Sequence, residues 1–341
     1  MQGMEDPAAA LNTTPIRCIV KLGGAAITCK HEIEKINEEN LLTVSSQLRQ
    51  AMMKTSSSEK VPGMDWSKRP GVSEISTVGD FGDHPLSSLS NFIIVHGAGS
   101  FGHFQASRSG VHKGGLHMPL VKAGFVATRI SVTSLNLEIV RALAREGIPS
   151  IGMSPFACGW STCERNITSA DISQVAKAIA AGFVPVLHGD AVLDDVQGCT
   201  ILSGDVIIRH LAQILSPKYV VFLTDVLGVY DRPPTDPDAV LLREIAVDED
   251  GSWSIVKPLH HTNKPVKITV ADHDTTGGMV TKISEAAMIA KLGIDVYIVK
   301  AGTAHSFRVL KGEIGNDIPD DWLGTAIRFS KQVHTTFPME R

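Results

Sequence analysis

The feature that most constrains the fold is a repeated alternation between short apolar runs and longer segments with helical periodicity. Buried strands of a parallel sheet read as unbroken apolar runs, whereas helices carry apolar residues three or four positions apart. The alternation therefore predicts an α/β fold whose mostly parallel sheet is covered by helices on both faces. Strands are predicted at residues 16–22, 92–95, 184–187, 219–223 and 296–299, and helices at residues 32–53, 119–146, 172–181, 205–215 and 279–292.

Two segments fall outside this alternation. Residues 1–15 are acidic and interrupted by proline, so they predict a disordered tail rather than a signal or transit peptide. Residues 54–90 are rich in Ser, Gly, Pro and charge, with little periodicity, and predict a mobile insertion. Residues 16–341 are therefore expected to form a single domain that carries this insertion.

The overall charge and the cysteines exclude several classes of partner. A net charge of -4 gives no basic surplus for binding nucleic acid or anionic lipid. The apolar runs are too short to span a membrane. Five scattered cysteines without a C-x-x-C pair predict neither a disulfide framework nor a zinc site. A cytoplasmic protein is the expectation.

Glycines and charged residues follow the predicted strands at the point where each strand ends. These strand ends are residues 21–24 (KLGG), 96–103 (HGAGSFGH), 188–190 (HGD) and 224–225 (TD). In open parallel sheets, ligands bind beyond the carboxyl ends of the strands. The composition of these ends predicts a site for a phosphate ligand and its metal.

The second of these loops contains a G-x-G-x-x-G pattern at Gly97, Gly99 and Gly102. A dinucleotide site would need an acid at the end of the next strand, about 20 residues later. No acid occurs before Glu138, which lies inside a predicted helix. The loop is therefore predicted to be an anion cradle, with a ligand-free tight turn as the alternative, and His96 is predicted to hydrogen-bond backbone beneath it.

Two glycine loops at two strand ends provide places for two phosphates. Neither loop matches the P-loop pattern G-x-x-x-x-G-K-[ST], and the H-R-D and D-F-G sequences of protein kinases are absent. Two anionic groups facing each other across a sheet edge favour phosphoryl transfer, in which the protein positions the reactants and neutralises charge.

Five short motifs in one order carry a resemblance to a known family. The motifs are KLGG at 21–24 with Lys30 following, HGAGSFGH at 96–103, LSGD at 202–205, LTDVLGVYD at 223–231 and TGGMVTK at 276–282. With them the chain resembles the amino acid kinase superfamily and, within it, the isopentenyl phosphate kinase family. The resemblance implies a three-layer α/β/α sandwich, commonly a homodimer, that transfers the γ-phosphoryl group of Mg-ATP to isopentenyl phosphate.

The resemblance implies four catalytic residues. Lys21 would contact the ATP phosphates from the first strand, and Lys30 would lie on the phosphoryl group in transfer. An ammonium there offsets charge that spreads over the phosphoryl oxygens in the transition state. His103 would bind the phosphate of the acceptor, and Asp205 would orient the lysines.

The implied binding residues form two sets, mainly acceptor-binding within residues 16–200 and ATP-binding within residues 201–330. Mg²⁺ is expected to arrive on the ATP phosphates and water, so no metal ligands are assigned. The acceptor set is Ala98, Gly99, His103 and Gly189. The ATP set is Lys21, Leu22, Gly23, Gly24, Ala25, Gly99, Asp225, Gly228, Tyr230, Gly277 and Lys282.

The chain departs from the family pattern at two places. Ala25 stands where many relatives have serine, which removes one possible hydroxyl contact to phosphate. The nucleotide loop continues into the proline-rich residues 231–239, which leaves its ribose contacts open. Two alternatives also stay open: another kinase of the superfamily acting on a carboxylate, phosphonate or nucleoside monophosphate, or a nucleotide sensor that does not catalyse.

Overall fold

The computed structural model describes residues 15–53, 64, 89–258 and 278–330. Residues 1–14 of the predicted N-terminal tail, most of the predicted insertion at 54–90, and Gly277 lie outside these residues. In chain order the strands are β1 (Cys18–Leu22), β2 (Phe92–His96), β3 (Ser150–Met153), β4 (Ser161–Cys163), β5 (Asn166–Ser169), β6 (Val184–His188), β7 (Asp190–Asp194), β8 (Gly198–Leu202), β9 (Tyr219–Thr224), β10 (Val229–Tyr230), β11 (Leu241–Leu242), β12 (Glu244–Val247), β13 (Trp253–Lys257), β14 (Asp295–Lys300) and β15 (Thr325–Phe329).

The helices alternate with these strands, as the periodicity predicts. Two 3₁₀ turns, Gly99–Phe101 and Val111–Lys113, flank the third helix. Within the described ranges, none of the helices is both long and apolar enough to cross a lipid bilayer. The helices are α1 (Gly24–Ile27), α2 (Glu38–Met52), α3 (His103–Ser109), α4 (Pro119–Arg145), α5 (Ser173–Ala180), α6 (Gly204–Leu215), α7 (Gly278–Ala290) and α8 (Ala304–Leu310).

A nine-stranded sheet organises the described part of the chain, in the order β13-β12-β15-β14-β9-β1-β2-β6-β3. The strands from β14 to β3 all pair in parallel, and β12 also pairs in parallel with β15. Only the β12–β13 and β14–β15 pairings of this described sheet are antiparallel. The prediction of a mostly parallel sheet is confirmed. A four-stranded sheet, β5-β4-β7-β8, and the β10–β11 hairpin accompany it.

Helices cover both faces of the large sheet because successive strand side chains point to opposite faces. In β1, Ile19 packs into one core with residues of α5, α6 and α7. Val20 and Leu22 of the same strand pack into the second core with residues of α2, α4 and α8. Burial of one such side chain stabilises the fold by about 1.5–3 kcal/mol. The two cores give the predicted three-layer α/β/α sandwich.

The predicted helix at 32–53 begins later than its periodicity indicated. Helix α2 starts at Glu38, where the Asn37 side chain accepts a hydrogen bond from the Asn40 N–H at 3.1 Å. The preceding residues form a loop closed by an antiparallel bridge between Thr28 and Ile36. Asn37 provides the N-cap, so the helix begins there and the upstream apolar positions do not extend it.

Candidate active site

Four strand ends lie side by side at one edge of the sheet. The register aligns Leu22 of β1 with His96 of β2 and with Leu223 of β9, and aligns His96 with His188 of β6. Backbone hydrogen bonds continue past the strands, from Gly97 N–H to Leu22 O at 2.9 Å. The loops singled out from the sequence therefore converge at a single edge.

The two glycine loops pack directly against each other at this edge. A Cβ atom on Gly24 would lie 2.2 Å from the backbone nitrogen of Gly99, a distance that no side chain tolerates. Gly99 itself has a φ of +53°, in the left-handed region that favours glycine. Thr28 joins the loops, since its hydroxyl donates to Gly24 O at 2.8 Å and accepts from Ser100 N–H at 3.1 Å.

Some backbone N–H groups of the first loop donate to an acceptor within the protein, whereas others lie at the start of a helix and have no intrahelical acceptor. The N–H of Gly23 donates to Leu223 O at 2.8 Å, and the side chain of Leu22 is buried in the core. The N–H groups of Gly24 and Ala25 belong to the first turn of α1, where no intrahelical acceptor exists. Of the residues assigned to ATP here, Gly24 and Ala25 thus offer backbone donors suited to an anion.

A buried cluster of two lysines and one aspartate lies beside these loops. The Lys21 ammonium forms an ion pair with the Asp205 carboxylate, and Lys282 Nζ lies 3.6 Å from the same Asp205 oxygen. Asp205 is in the first turn of α6, whose N-cap Ser203 accepts a hydrogen bond from the Asp205 N–H at 3.2 Å. The three residues come from β1, α6 and α7, and carry one net positive charge.

Burial and mutual charge set the protonation of this cluster. Burial lowers the pKa of Lys21 to about 8, because desolvation and repulsion by Lys282 outweigh attraction by Asp205. Burial alone would raise the pKa of Asp205, but the two lysines lower it below its usual value. At neutral pH the cluster is a cationic group with an ionised carboxylate between two ammonium ions, which suits an arriving polyphosphate.

Lys30, the remaining lysine predicted to be catalytic, is paired with a residue that the sequence assigned to nucleotide binding. Lys30 Nζ lies 2.5 Å from Asp225 Oδ2, with the Lys30 side chain 55% exposed and that of Asp225 33% exposed. Asp225 directly follows β9, and Lys30 belongs to the loop between α1 and α2. The structure therefore brings these two predicted site residues into direct contact.

The residues predicted for the acceptor lie in the second glycine loop, directly after it, or at the end of the neighbouring strand β6. His103 is half-buried and is the first residue of α3, directly after Gly102. A Cβ on Gly102 would lie 2.7 Å from Ala98 Cβ, so the loop turns tightly at this point. Gly189 follows β6, and its N–H donates to His96 O at 3.0 Å. Any contact of Gly189 with a ligand therefore uses atoms other than its N–H.

His96 and His188 form a buried support beneath these loops. Their rings stack with centroids 5.5 Å apart. His96 Nδ1 bonds Gly97 O at 3.0 Å, and its Nε2 accepts from the Asn136 amide at 3.1 Å. Burial lowers the pKa of His96 to about 3, so the ring is neutral. The prediction that His96 hydrogen-bonds backbone under the loop is confirmed.

Gly228 and Tyr230 lie towards β15. A Cβ on Gly228 would lie 2.5 Å from Thr325 Oγ1, and the next N–H, of Val229, donates to that hydroxyl at 2.8 Å. Tyr230 pairs with Leu241 in the β10–β11 hairpin. Close packing against Thr325 is thus a sufficient reason for glycine at position 228, and a nucleotide contact there stays a prediction.

An ion cluster forms around Asp190, the residue directly after Gly189. Asp190 is buried and accepts hydrogen bonds from Arg129 Nε at 3.3 Å, Ser154 Oγ at 2.7 Å and Phe156 N–H at 3.3 Å. The Arg129 guanidinium stacks 4.1 Å from the centroid of the Phe156 ring. The H-G-D motif pointed to Asp190, but its partners are distant in sequence and became neighbours only through folding.

A further ion pair lies one helical turn beyond the lysine cluster. Arg209 Nε lies 2.5 Å from Glu285 Oε2 and so joins α6 to α7. Arg209 follows Asp205 by four residues, and Glu285 follows Lys282 by three, so each lies one helical turn beyond its cluster residue. This pair fixes the spacing between the helices that carry Asp205 and Lys282.

Comparison with known proteins agrees with this fold. The model of the amino acid kinase family matches residues 78–300 of the chain. That match spans more than half of the sequence, and the chain therefore belongs to the amino acid kinase family.

Within that family, the similarity is to isopentenyl phosphate kinases. The chain is 74% identical to isopentenyl phosphate kinase of Arabidopsis thaliana over 320 residues, which cover 93% of this chain and 96% of that protein. A solved isopentenyl phosphate kinase structure superposes with a TM-score of 0.65 at 30% identity, covering 91% of this chain and 99% of its own. The product complex of the T. acidophilum isopentenyl phosphate kinase gives a TM-score of 0.63 at 25% identity, covering 92% and 100%. The resemblance first seen in five short motifs is confirmed.

Proposed function

We propose that this protein transfers the γ-phosphoryl group of ATP to isopentenyl phosphate, giving isopentenyl diphosphate and ADP. The observation that carries this proposal is the Lys21–Asp205–Lys282 cluster beside two glycine loops in mutual contact. High identity to a curated isopentenyl phosphate kinase supports the choice of acceptor. One loop with the lysine cluster serves ATP, and the other with His103 serves the acceptor phosphate.

The role proposed for each cationic residue follows from its position in the site. Lys21 and Lys282 bind the ATP phosphates, and Asp205 holds their ammonium groups in register. Lys30 neutralises the charge that develops on the phosphoryl group in transfer. Ala98 and Gly99 line the acceptor side, and residues 16–200 supply most of the acceptor site while 201–330 supply most of the ATP site.

The reaction needs orientation and charge neutralisation more than a strong base. The second pKa of a phosphate monoester is about 6, so the attacking oxygen is already ionised at neutral pH. That oxygen forms a bond to the γ-phosphorus of ATP while the bond to the β–γ bridging oxygen breaks, and ADP leaves. His103 hydrogen-bonds the acceptor phosphate and keeps its oxygen in line for attack.

Mg²⁺ is proposed to enter this site bound to ATP. Asp205 lies between two lysines and Asp225 is paired with Lys30, so both carboxylates are already engaged by ammonium groups. In the described ranges, no group of three or more His, Cys, Asp or Glu side chains is placed to hold a metal ion. Mg²⁺ bound through ATP phosphate oxygens and water supplies charge neutralisation on the phosphates.

We propose a homodimer formed through the outer face of α4. Four large apolar side chains on this helix face solvent in the single chain: Leu120 is 66% exposed, Val126 54%, Ile130 63% and Leu137 49%. Val126, Ile130 and Leu137 are four and seven residues apart and share one side of the helix, whereas Leu120 faces a different side. Exposed apolar side chains of this kind are typical of a protein interface, and a second copy of the chain is the proposed occupant.

A cytoplasmic location is also proposed, supported by five unpaired cysteines, which suit a reducing compartment.

A coupled assay of ADP release tests the proposed acceptor. Purified enzyme with Mg-ATP is given isopentenyl phosphate, acetylglutamate, glutamate, fosfomycin or UMP in separate reactions. We expect isopentenyl phosphate to give the highest kcat/KM, and a Lys21→Ala variant to lose ADP release with every acceptor. Higher kcat/KM with another acceptor would replace the proposed substrate, and ATP binding without transfer to any acceptor would indicate a sensor.

A further inference from the structure

The ion pair between Lys30 and Asp225 gives the nucleotide loop a second role. The pair joins segments about 195 positions apart in the sequence, at the edge where the phosphates are proposed to bind. Lys30 is in the loop that follows Gly23-Gly24, and Asp225 is in the turn that follows β9. A Cβ on Gly23 would lie 3.6 Å from Thr224 Cα, so the turn that carries Asp225 touches the first glycine loop.

Asp225 is held on a fixed turn. The hydroxyl of Thr224, the preceding residue, donates to Val226 O at 2.7 Å and so closes the turn around Asp225. The Thr224 carbonyl in turn accepts from the Ala301 N–H at 2.8 Å, which attaches the turn to the chain beyond β14. The backbone that carries the carboxylate is therefore held in place.

Lys30 needs such an anchor because little else restrains its side chain. The backbone of its loop is closed by the Thr28–Ile36 bridge and by the Cys29 N–H bond to Lys35 O at 2.9 Å. The Lys30 side chain is nevertheless more than half exposed, and a lysine carries about 2 kcal/mol of rotamer entropy. Among the described residues, Asp225 is the acid with which Lys30 forms a salt bridge.

We propose that Asp225 is a positioning residue that holds the Lys30 ammonium beside the Gly23-Gly24 turn during phosphoryl transfer. This inference rests on the proposed function, in which Lys30 neutralises the phosphoryl group in transfer. Asp225 then acts through Lys30 and makes no contact of its own with the nucleotide. The pairing also masks a carboxylate that would otherwise repel the triphosphate, since like charges a few ångströms apart destabilise each other.

Steady-state kinetics distinguish this positioning role from a direct contact between Asp225 and the nucleotide. A contact with ribose or phosphate in the ground state would change KM for ATP, whereas misplacing Lys30 affects the transition state and lowers kcat. For Asp225→Asn we expect kcat to fall about fivefold, the upper range for a half-exposed ion pair, with KM for ATP within about twofold. Asp225→Glu keeps the charge and is expected to recover most of the loss.

A double-mutant cycle tests whether the effect passes through Lys30. We expect Lys30→Ala alone to lower kcat by about a hundredfold, and Asp225→Asn to add less than about twofold on that background. The matched control is Glu32→Gln, which removes the Lys35–Glu32 pair of the same loop, also 2.5 Å long and half exposed. It is expected to leave kcat and both KM values unchanged.

A measurement independent of turnover keeps this test separate from that of the proposed function. Acetylation of the folded enzyme by a lysine-reactive ester, quantified by peptide mass spectrometry, is expected to be faster at Lys30 in Asp225→Asn and faster at Lys35 in Glu32→Gln. Wild-type turnover of isopentenyl phosphate decides the proposed function whatever these variants do. A raised KM for ATP at unchanged kcat, a full fivefold loss on the Lys30→Ala background, or unaltered Lys30 acetylation would each overturn the positioning role.

Discussion

Replacing Asp205 by asparagine perturbs the centre of the proposed ATP site with almost no change in side-chain volume. The carboxylate forms ion pairs with both Lys21 and Lys282 and is almost completely buried. In Asp205→Asn the two ammonium groups lose the negative charge between them and repel each other. We therefore expect a loss of folding stability together with a loss of phosphoryl transfer.

The size of both losses follows from the geometry. At an effective dielectric constant of about 20, a pair of charges 3.6 Å apart, the Lys282–Asp205 distance, interacts by about 5 kcal/mol before desolvation is counted. Removing one partner of a buried pair costs about 3–5 kcal/mol in measured cases. For a chain of 341 residues, with an unfolding entropy of about 2.1 cal/mol/K per residue, that corresponds to a fall in melting temperature of roughly 4–7 °C. Misplaced lysines should lower kcat/KM for ATP by about a hundredfold.

Thermal unfolding and steady-state kinetics measure the two effects on the same preparations. The pH dependence adds a third readout, because Asp205 raises the pKa of Lys21 towards its ordinary value. In Asp205→Asn the pKa of Lys21 falls further, so kcat/KM for ATP should begin to decline at a lower pH than in the wild type. A variant with the wild-type melting temperature and wild-type kcat/KM would refute the organising role of Asp205.

Three further predictions concern the glycine loops, the acceptor site and pH. Gly24→Ala places a Cβ 2.2 Å from Gly99 N, so we expect the two loops to move apart. The free energy of unfolding should fall by about 1–3 kcal/mol and KM for ATP should rise. Gly315→Ala, which has open space around its Cβ, should change neither thermal unfolding nor KM for ATP. His103→Ala should lower kcat/KM for isopentenyl phosphate by about 10- to 100-fold and leave KM for ATP within about twofold, because it removes a hydrogen bond to a charged group; unchanged acceptor kinetics would exclude the assignment. Because the pKa of Lys21 is lowered to about 8, kcat/KM for ATP should fall as pH rises through 8 and Lys21 loses its proton, whereas kcat/KM of Lys21→Arg should not change over this pH range. The free energy of unfolding should change in the opposite direction. It should rise from about pH 8 towards the lysine pKa of about 10.4 in the unfolded chain, since the unfolded chain binds the extra proton there.

The apolar pattern of the sequence predicts those strands whose residues are all buried. Strands β1 and β2 are buried at every position, and their unbroken apolar runs predict them correctly. Strand β5, by contrast, is mostly exposed, and its short partner β4 carries Ser, Thr and Cys, so neither has an apolar signal to detect. The sequence therefore does not predict these two strands of the small β5-β4-β7-β8 sheet. Helix α2 was predicted too early because Ile33 fits the helical spacing although its side chain is 55% exposed.

The candidate site shows the same division between local and long-range information. Lys21 and Gly24 could be predicted because a parallel sheet gathers the residues at its strand ends, whichever partners they meet there. The partners themselves could not be predicted, since Lys30 meets Asp225, and Arg129 meets Asp190, only through the folded arrangement of distant segments. Each of these pairings has no spacing in the sequence that would mark it.

The most direct test of the central claim is to identify the product. ³¹P nuclear magnetic resonance of a reaction with wild-type enzyme, Mg-ATP and isopentenyl phosphate follows every phosphorus atom at once. The account predicts that the monophosphate signal is replaced by two coupled diphosphate signals, in one-to-one proportion with the ADP formed. Release of ADP with inorganic phosphate, or loss of ATP with the acceptor signal unchanged, would contradict it.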